Sequence, residues 1–323
     1  MSNTSGHIVE YNPDTITDSM SGHVFIFGCG YTGRTLSTQL CAGGWRVSGT
    51  TREQQGLAAI ETTGATAYLF NGEEPSPLIS QALSDATHAI ISIAPNDSGD
   101  PVLNNHLVDL EHSKALRWVG YLSTVGVYGN HDGAWVDETT PLKPNSLRSR
   151  LRTQAEQSWQ SAADTKLHCA LEVFRLAGIY GPGRSPFDKL RAGTARRLIK
   201  PDQVFNRIHV EDIAGALVAA INRAGKQSSG KTNLNPTSHD AQNIFNITDD
   251  LPAPPQDVVA HAAELLGVAA PTEVPFETAD ITPMARSFYG ENKRVSNQRM
   301  KQVLGYTLKF PTYAEGLRSL LAD

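Results

Sequence analysis

The sequence predicts an α/β protein built on a doubly wound parallel sheet, and three observations lead there. A short apolar run, Val24 to Phe27, leads straight into glycines at 28, 30 and 33. From residue 46 to residue 124, apolar stretches of strand length alternate with segments of helical period. The connections between those stretches have the length of crossover helices rather than hairpin turns, so neighbouring strands run parallel.

The stretch HVFIFGCGYTGRTLSTQLCAGG, His23 to Gly44, sets the pattern. Val24, Phe25, Ile26 and Phe27 are too few for a helix and read as a buried strand. Leu36 and Leu40 then recur at helical spacing until Gly43 and Gly44. Between them lies the spacing GxGxxG, in which every glycine has its own physical reason. Gly28 allows the tight turn, Gly30 lets a pyrophosphate approach the backbone, and Gly33 lets the helix lie close to the strand. The free N–H groups at the helix start, at Tyr31 and Thr32, would face the phosphates of a dinucleotide. This is the local order of a Rossmann unit.

The second strand, WRVSGTT, ends in Thr50, Thr51 and Arg52, where an acid usually holds the adenosine ribose hydroxyls. Thr51 and Arg52 would bind a 2′-phosphate that a carboxylate would repel, so the expected coenzyme is NADP. Glu53, next in the chain, is the alternative ribose acid and would make it NAD.

The remaining elements follow in order. Residues 52 to 62 read as a helix, ATAYLF as a strand, PLISQALSDA as a short helix and HAIISIAP as a buried strand ending in a turn. A polar helix over about 103 to 114 and the strand RWVGYLST come next. Ligands of such sheets lie at the carboxyl ends of the strands, so Ala94, Pro95, Ser123 and Thr124 are expected to rim the site. A helix over about 146 to 162 precedes a sixth strand within LHCALEVFRLAGIYGPG. The later run VFNRIHVEDIAGALVAAINRAG puts Ile213, Leu217 and Ile221 on one helical face, with Gly225 as its stop. QNIFNIT returns as a strand, PPQDVVAHAAELLG is a helix stopped by Gly267, and Thr312 with Glu315 forms a capping box opening a last helix with Leu317, Leu320 and Leu321. The segment GKQSSGKT, Gly225 to Thr232, matches a P-loop letter for letter. It follows a helix and precedes helix breakers, so it reads as a polar surface loop.

Bulk properties narrow the partners. A length of 323 residues suits one large domain or a nucleotide domain plus a smaller lobe. A net charge of −5 and a pI near 6.1 argue against nucleic acid, and no run of 18 apolar residues offers a membrane span. The first twenty residues lack the basic and apolar regions of a secretory signal and read as a mobile polar extension. Cys29, Cys41 and Cys169 show no CxxC spacing, which fits a reducing cytoplasm, and the ten His form no HxH or HxxxH pattern that would suggest a metal site.

By YLSTVGVYG (121–129) the chain resembles the extended short-chain dehydrogenase/reductases of the NAD-dependent epimerase/dehydratase superfamily. The matching motifs come in order: the glycine turn, LSTVGVYG, VDETTPLKP, RLAGIYGPG and RIHVEDIAGA, over about residues 23 to 223. The resemblance implies a Rossmann NAD(P)-binding domain over 21–180. A smaller C-terminal α/β substrate lobe would occupy 181–323, with segments around 203–223 and 242–248 packing back on the first domain. It implies an oxidoreductase, epimerase or dehydratase acting on a nucleotide sugar or another small anionic carbonyl compound, and a homodimer built on two paired helices.

Family members place a Tyr and a Lys four residues apart at the start of the helix after the proline turn. Counted back from Ala155 and Glu156, those positions fall on Arg148 and Arg152, while the family's Ser or Thr falls on Thr124. The chain is in this respect similar to atypical members that keep the cofactor turn without the catalytic pair. A guanidinium, with a pKa above about 12, can hold an oxyanion but cannot exchange protons at neutral pH. Losing general acid–base help costs about 10² to 10⁴ in rate. Thr124, Tyr128 and Tyr180 are the remaining proton carriers by type, although both tyrosines also read as packing aromatics before glycine turns. Arg148 and Arg152 share a helical face that reads either as an anion clamp or as a solvated basic surface. His209 reads as a core or hydrogen-bonded residue. Two functions therefore stay open: an NADP-dependent enzyme, and an NADP-binding sensor or partner-binding protein that keeps the fold without the chemistry.

Overall fold

The computed structural model of the protein describes residues 22–227 and 243–321. The expected extension 1–20 and the GKQSSGKT segment beyond Gln227 lie outside the described residues. Strand and helix alternate through the first half: β1 (His23–Phe27), α1 (Tyr31–Ala42), β2 (Arg46–Thr51), α2 (Gln55–Glu61), β3 (Thr66–Leu69), α3 (Pro77–Leu83), β4 (His88–Ile91), α4 (Pro101–His112) and β5 (Trp118–Thr124). A 3₁₀ turn at Val125–Tyr128 leads to β6 (Trp135–Val136), α5 (Leu147–Thr165) and β7 (Ala170–Leu176). Then come β8 (Gly178–Tyr180), α6 (Pro186–Arg191), β9 (Arg197–Ile199), β10 (Arg207–His209), α7 (Val210–Gln227) and β11 (Ile244–Ile247). The chain closes with α8 (Pro255–Leu265), β12 (Glu273–Pro275), α9 (Pro283–Phe288), β13 (Arg294–Val295), α10 (Gln298–Val303) and α11 (Tyr313–Ser319).

Seven strands form one parallel sheet in the order β3-β2-β1-β4-β5-β7-β11. The period-2 alternation of β1 explains why its sequence is apolar throughout. Val24 and Ile26 face one side, packed with Leu36 and Leu40 of α1 and with Ile213, Leu217 and Ile221 of α7. Phe25 and Phe27 face the other, packed with Leu83 of α3, Leu110 of α4 and Trp159 of α5. Both faces are covered, so no polar alternation survives. Each such side chain contributes roughly 1.5–3 kcal/mol on burial. The strand order reverses at β1, which has β2 on one side and β4 on the other, and this opens a crevice at the strands' carboxyl ends.

Short parallel pairs, β8 with β10, β9 with β12 and β6 with β13, build the rest. Tyr180, Phe187, Val258, Ala262 and Leu317 form one small core there, and Leu198, Ala279 and Tyr289 another. From the C-terminal stretch, Met300, Leu304 and Leu308 join the cluster on the α1 and α7 side of the main sheet. Thr312 and Glu315 do form a capping box at the start of α11, whereas Leu321 lies beyond that helix and is exposed. One stop signal is overrun: α7 continues through Gly225 to Gln227. A glycine near the end of a helix costs only about 1 kcal/mol relative to Ala, less than the apolar face of α7 gains against α1.

Candidate functional site

The glycine turn sits at the crevice. Gly28 has φ +81°, and its N–H donates to Thr50 Oγ1 at 2.8 Å, while the Cys29 N–H donates to the Thr50 carbonyl at 2.7 Å. The end of β2 thus holds the turn in place. A Cβ on Gly33 would stand 3.3 Å from Ile26 Cγ2, from the Gly28 carbonyl and from Cys29 Sγ, which is the close helix-to-strand approach. A Cβ on Gly30 would meet nothing within 4 Å, so the backbone is open to a ligand there. The start of α1 has no side-chain cap and no acid in its first turn, leaving neutral N–H donors beside Tyr31 and Thr32. These residues fit a dinucleotide's pyrophosphate: donors, open approach and no carboxylate in the helix's own first turn. Cys29 is buried against Gly49 with its thiol pKa raised by that burial, so it serves packing.

At the end of β2, Thr51 is half-buried and Arg52 is exposed. Glu53 is also exposed, and its carboxylate accepts from the Gln55 side chain. Beyond β4, Ala94 is exposed and Pro95 half-exposed at the same end of the sheet.

On the β5 side the expected residues part company. Thr124 ends β5, half-buried, and its Oγ1 accepts from the Gly126 N–H at 3.1 Å, leaving the hydroxyl proton for another partner. Arg148 is exposed, with its guanidinium carbon 5.7 Å from the ring centre of Phe288. Arg152 turns instead onto the sheet, where Nη1 donates to the Leu122 carbonyl at 2.7 Å and to Tyr121 Oη at 3.3 Å. The two arginines therefore do not form a clamp of two free guanidinium groups. Arg150 bonds the Asn145 carbonyl, and Arg197 pairs with Glu273.

Tyr128 and Ser123 require correction. The Tyr128 hydroxyl is fully buried, donates to Asn246 Oδ1 at 2.8 Å and accepts from Arg175 Nη1 at 2.9 Å. Burial pushes its pKa up to about 12, so it is not poised to exchange a proton at neutral pH. Ser123, expected at the rim, is buried and donates to Glu156, which is paired with Arg175. Both are parts of one polar network beneath the site. Tyr180 is buried too, with its pKa raised by burial. His209 is fully buried and its Nδ1 accepts from the Glu211 N–H at 3.3 Å.

Two features escape a reading of the sequence. Tyr31 reaches across to the turn after β8, its hydroxyl donating to the Pro182 carbonyl at 3.0 Å, with Arg184 over its ring. The place of Arg184 directly after IYGPG was the available signal. A literal YxxxK does occur at Tyr289 to Lys293, outside the position that the resemblance assigns to it. Tyr289 packs between Phe205 and Phe276, and the Lys293 ammonium bonds the Gly129 carbonyl and Glu291, so that spacing serves interior packing. Among the described residues no group of three His, Cys, Asp or Glu could hold a metal, and no helix is long and apolar enough to cross a membrane.

A family model described as the NAD dependent epimerase/dehydratase family matches residues 24–235. Protein YeeZ of Escherichia coli strain K12 is 29% identical over 232 residues, 69% of this chain and 80% of YeeZ. The structure of a functionally unknown conserved protein from Silicibacter pomeroyi DSS is 51% identical, covers 94% of this chain and 99% of its own, and has a TM-score of 0.80. Two further structures share the fold at low identity. The dTDP-glucose 4,6-dehydratase of Bacillus anthracis in complex with NAD is 16% identical over 93% of this chain and 96% of its own, with a TM-score of 0.71. Human epimerase family protein SDR39U1 with NADPH is 18% identical over 93% and 99%, with a TM-score of 0.65.

Proposed function

The chain belongs to the NAD dependent epimerase/dehydratase family, and from that premise we propose that it is an NADP(H)-dependent oxidoreductase of a small anionic carbonyl compound, a nucleotide sugar being one such class. The observation that carries this is the open backbone at Gly30 beside the uncapped start of α1. Gly28, Gly30, Tyr31, Thr32 and Gly33 would hold the pyrophosphate, and Thr51 with Arg52 the 2′-phosphate. When bound, the dinucleotide supplies or takes up hydride. Thr124, with its hydroxyl proton uncommitted, would hold the substrate oxygen, and the exposed Arg148 would bind the substrate's negative charge. Neither Arg148 nor the buried Tyr128 exchanges protons near neutrality, so the substrate oxygen takes its proton from water through Thr124. Turnover is correspondingly slow, by about 10² to 10⁴ against a site with an acid–base pair. We place the protein in the cytoplasm, where its three free thiols stay reduced.

The test is titration with NADPH and NADH side by side. NADPH is expected to bind at least about tenfold more tightly, and Arg52→Asp to reverse the order. Equal affinities would remove the NADP assignment. With a panel of nucleotide sugars and simple anionic aldehydes and ketones, Thr124→Val should abolish whatever turnover is found. A second reading, a non-catalytic NADP-binding sensor or partner-binding protein, is favoured by one observation: the two positions of the usual pair carry an exposed Arg148 and a tethered Arg152. Tight coenzyme binding with no hydride transfer across the panel would select it.

A further inference from the structure

The turn between β8 and α6 stands over the start of α1. It is fixed by two reciprocal bonds, Gly181 N–H to the Arg184 carbonyl at 3.1 Å and Arg184 N–H to the Gly181 carbonyl at 3.0 Å. Tyr31, the residue after Gly30, ties the turn down through its bond to the Pro182 carbonyl. The approach is tight enough that a Cβ on residue 181 would lie 2.6 Å from Tyr31 Oη and 2.8 Å from Val210 Cγ1. Only glycine fits there, so the turn cannot drift from α1 without breaking a specific contact. On this platform the guanidinium carbon of Arg184 lies 5.8 Å from the centre of the Tyr31 ring. Its side chain is exposed, and among the described residues it makes no salt bridge. The nearest acid on its own segment, Asp188, is committed to the capping box with Ser185.

We propose that Arg184 is a binding residue for the coenzyme's pyrophosphate, taking its oxygens from the lobe side while the N–H groups of the glycine turn take them from the other. The inference rests on the coenzyme reading above. The glycine turn offers neutral donors and the partial charge of a helix start, and a diphosphate carries two full negative charges. A planar guanidinium with free N–H groups supplies what the turn lacks and matches phosphate geometry. A second observation points to a ligand in the same corner. His209, fully buried, accepts at Nδ1 from Glu211 and so carries its proton on Nε2, yet Nε2 has no hydrogen-bond partner. It lies 3.3 Å from the same Cβ position on residue 181, which puts an unpartnered donor directly beneath the turn that carries Arg184. Tyr31 is the positioning residue and Arg184 the binding one.

The experiment compares NADPH with adenosine 2′-monophosphate, which has the 2′-phosphate and neither phosphate of the pyrophosphate. Arg184→Gln should weaken NADPH binding about tenfold and leave the monophosphate within about twofold, which also reports an intact fold. Arg184→Lys, which keeps the charge and loses the planar fork, should fall between wild type and Arg184→Gln. Unchanged NADPH affinity in Arg184→Gln overturns the inference, and so does equal loss for both ligands. Wild-type protein that binds neither NADPH nor NADH overturns the coenzyme reading and this inference with it.

Discussion

Arg175 Nη2 lies 2.8 Å from Glu156 Oε2, with the two side chains only 4% and 8% exposed. The pair is the hub of the network that holds Ser123 and Tyr128, and through Tyr128 it reaches Asn246 of β11. Asn246 in turn donates its N–H to Glu138 at 2.8 Å, so residues of β5, β7 and β11 are tied together beneath the crevice. Removing one partner leaves the other charge buried and alone, which typically costs about 3–5 kcal/mol, whereas replacing both by apolar residues is often close to neutral. Arg175→Leu should therefore lower stability in urea far more than the double change Arg175→Leu with Glu156→Leu. Tyr128→Phe should cost about 1–3 kcal/mol and leave NADPH affinity unchanged, because its hydroxyl serves the network. A single Arg175→Leu variant of wild-type stability would contradict this account.

How much of this was legible in the sequence depends on how far apart the partners lie along the chain. The strand at Val24 to Phe27, the close approach at Gly33 and the capping box of Thr312 with Glu315 are all set by residues within ten positions of one another, and they appear in the structure where spacing puts them. Tyr128 could be seen as an aromatic before a glycine, but the Arg175 that occupies its hydroxyl is 47 residues away. Arg152 shares a helical face with Arg148 by period alone. The carbonyl of Leu122 that turns it inward belongs to another element, which period cannot report. The three-residue strands β9 and β12 pair across more than seventy residues and are too short to show alternation.

Asp249, just past the end of β11, is 1% exposed; its Oδ1 accepts from the Leu251 N–H at 3.2 Å and its Oδ2 has no partner. Burial raises its pKa from 3.8 to about 8, with Asp250 and Asp212 adding to the rise and the Arg207 guanidinium opposing it. Because the folded value lies above the unfolded one, the native state binds more protons than the unfolded chain between about pH 4 and 8. Stability must then fall as pH rises through that window, by at most roughly 1.4 kcal/mol per unit from this group, with no contribution to the slope outside it. Asp249→Asn keeps the shape and removes the titration. Urea denaturation from pH 5 to 8 should show a shallower decline in the variant than in wild type, and equal slopes would rule out a buried acid with a raised pKa at this position.

Gly30 and Gly33 stand three residues apart, and the structure gives them opposite reasons for being glycine. At Gly30 a side chain would meet only open space, so Gly30→Val should cost less urea stability than Gly33→Val. The same branched side chain would stand where the pyrophosphate approaches the backbone, and NADPH affinity should drop at least about tenfold. At Gly33 the first carbon added already lies 3.3 Å from the Gly28 carbonyl, which also accepts the Gly30 N–H at 2.8 Å and cannot easily move. Gly33→Val should therefore destabilise the fold by about 1–3 kcal/mol, the usual cost of overpacking. Any loss of coenzyme binding there follows from the displaced helix. Denaturation and NADPH titration on the two variants separate the roles: stability lost at Gly30 with binding intact would mean that the open approach at the start of α1 is not where the coenzyme's phosphates lie.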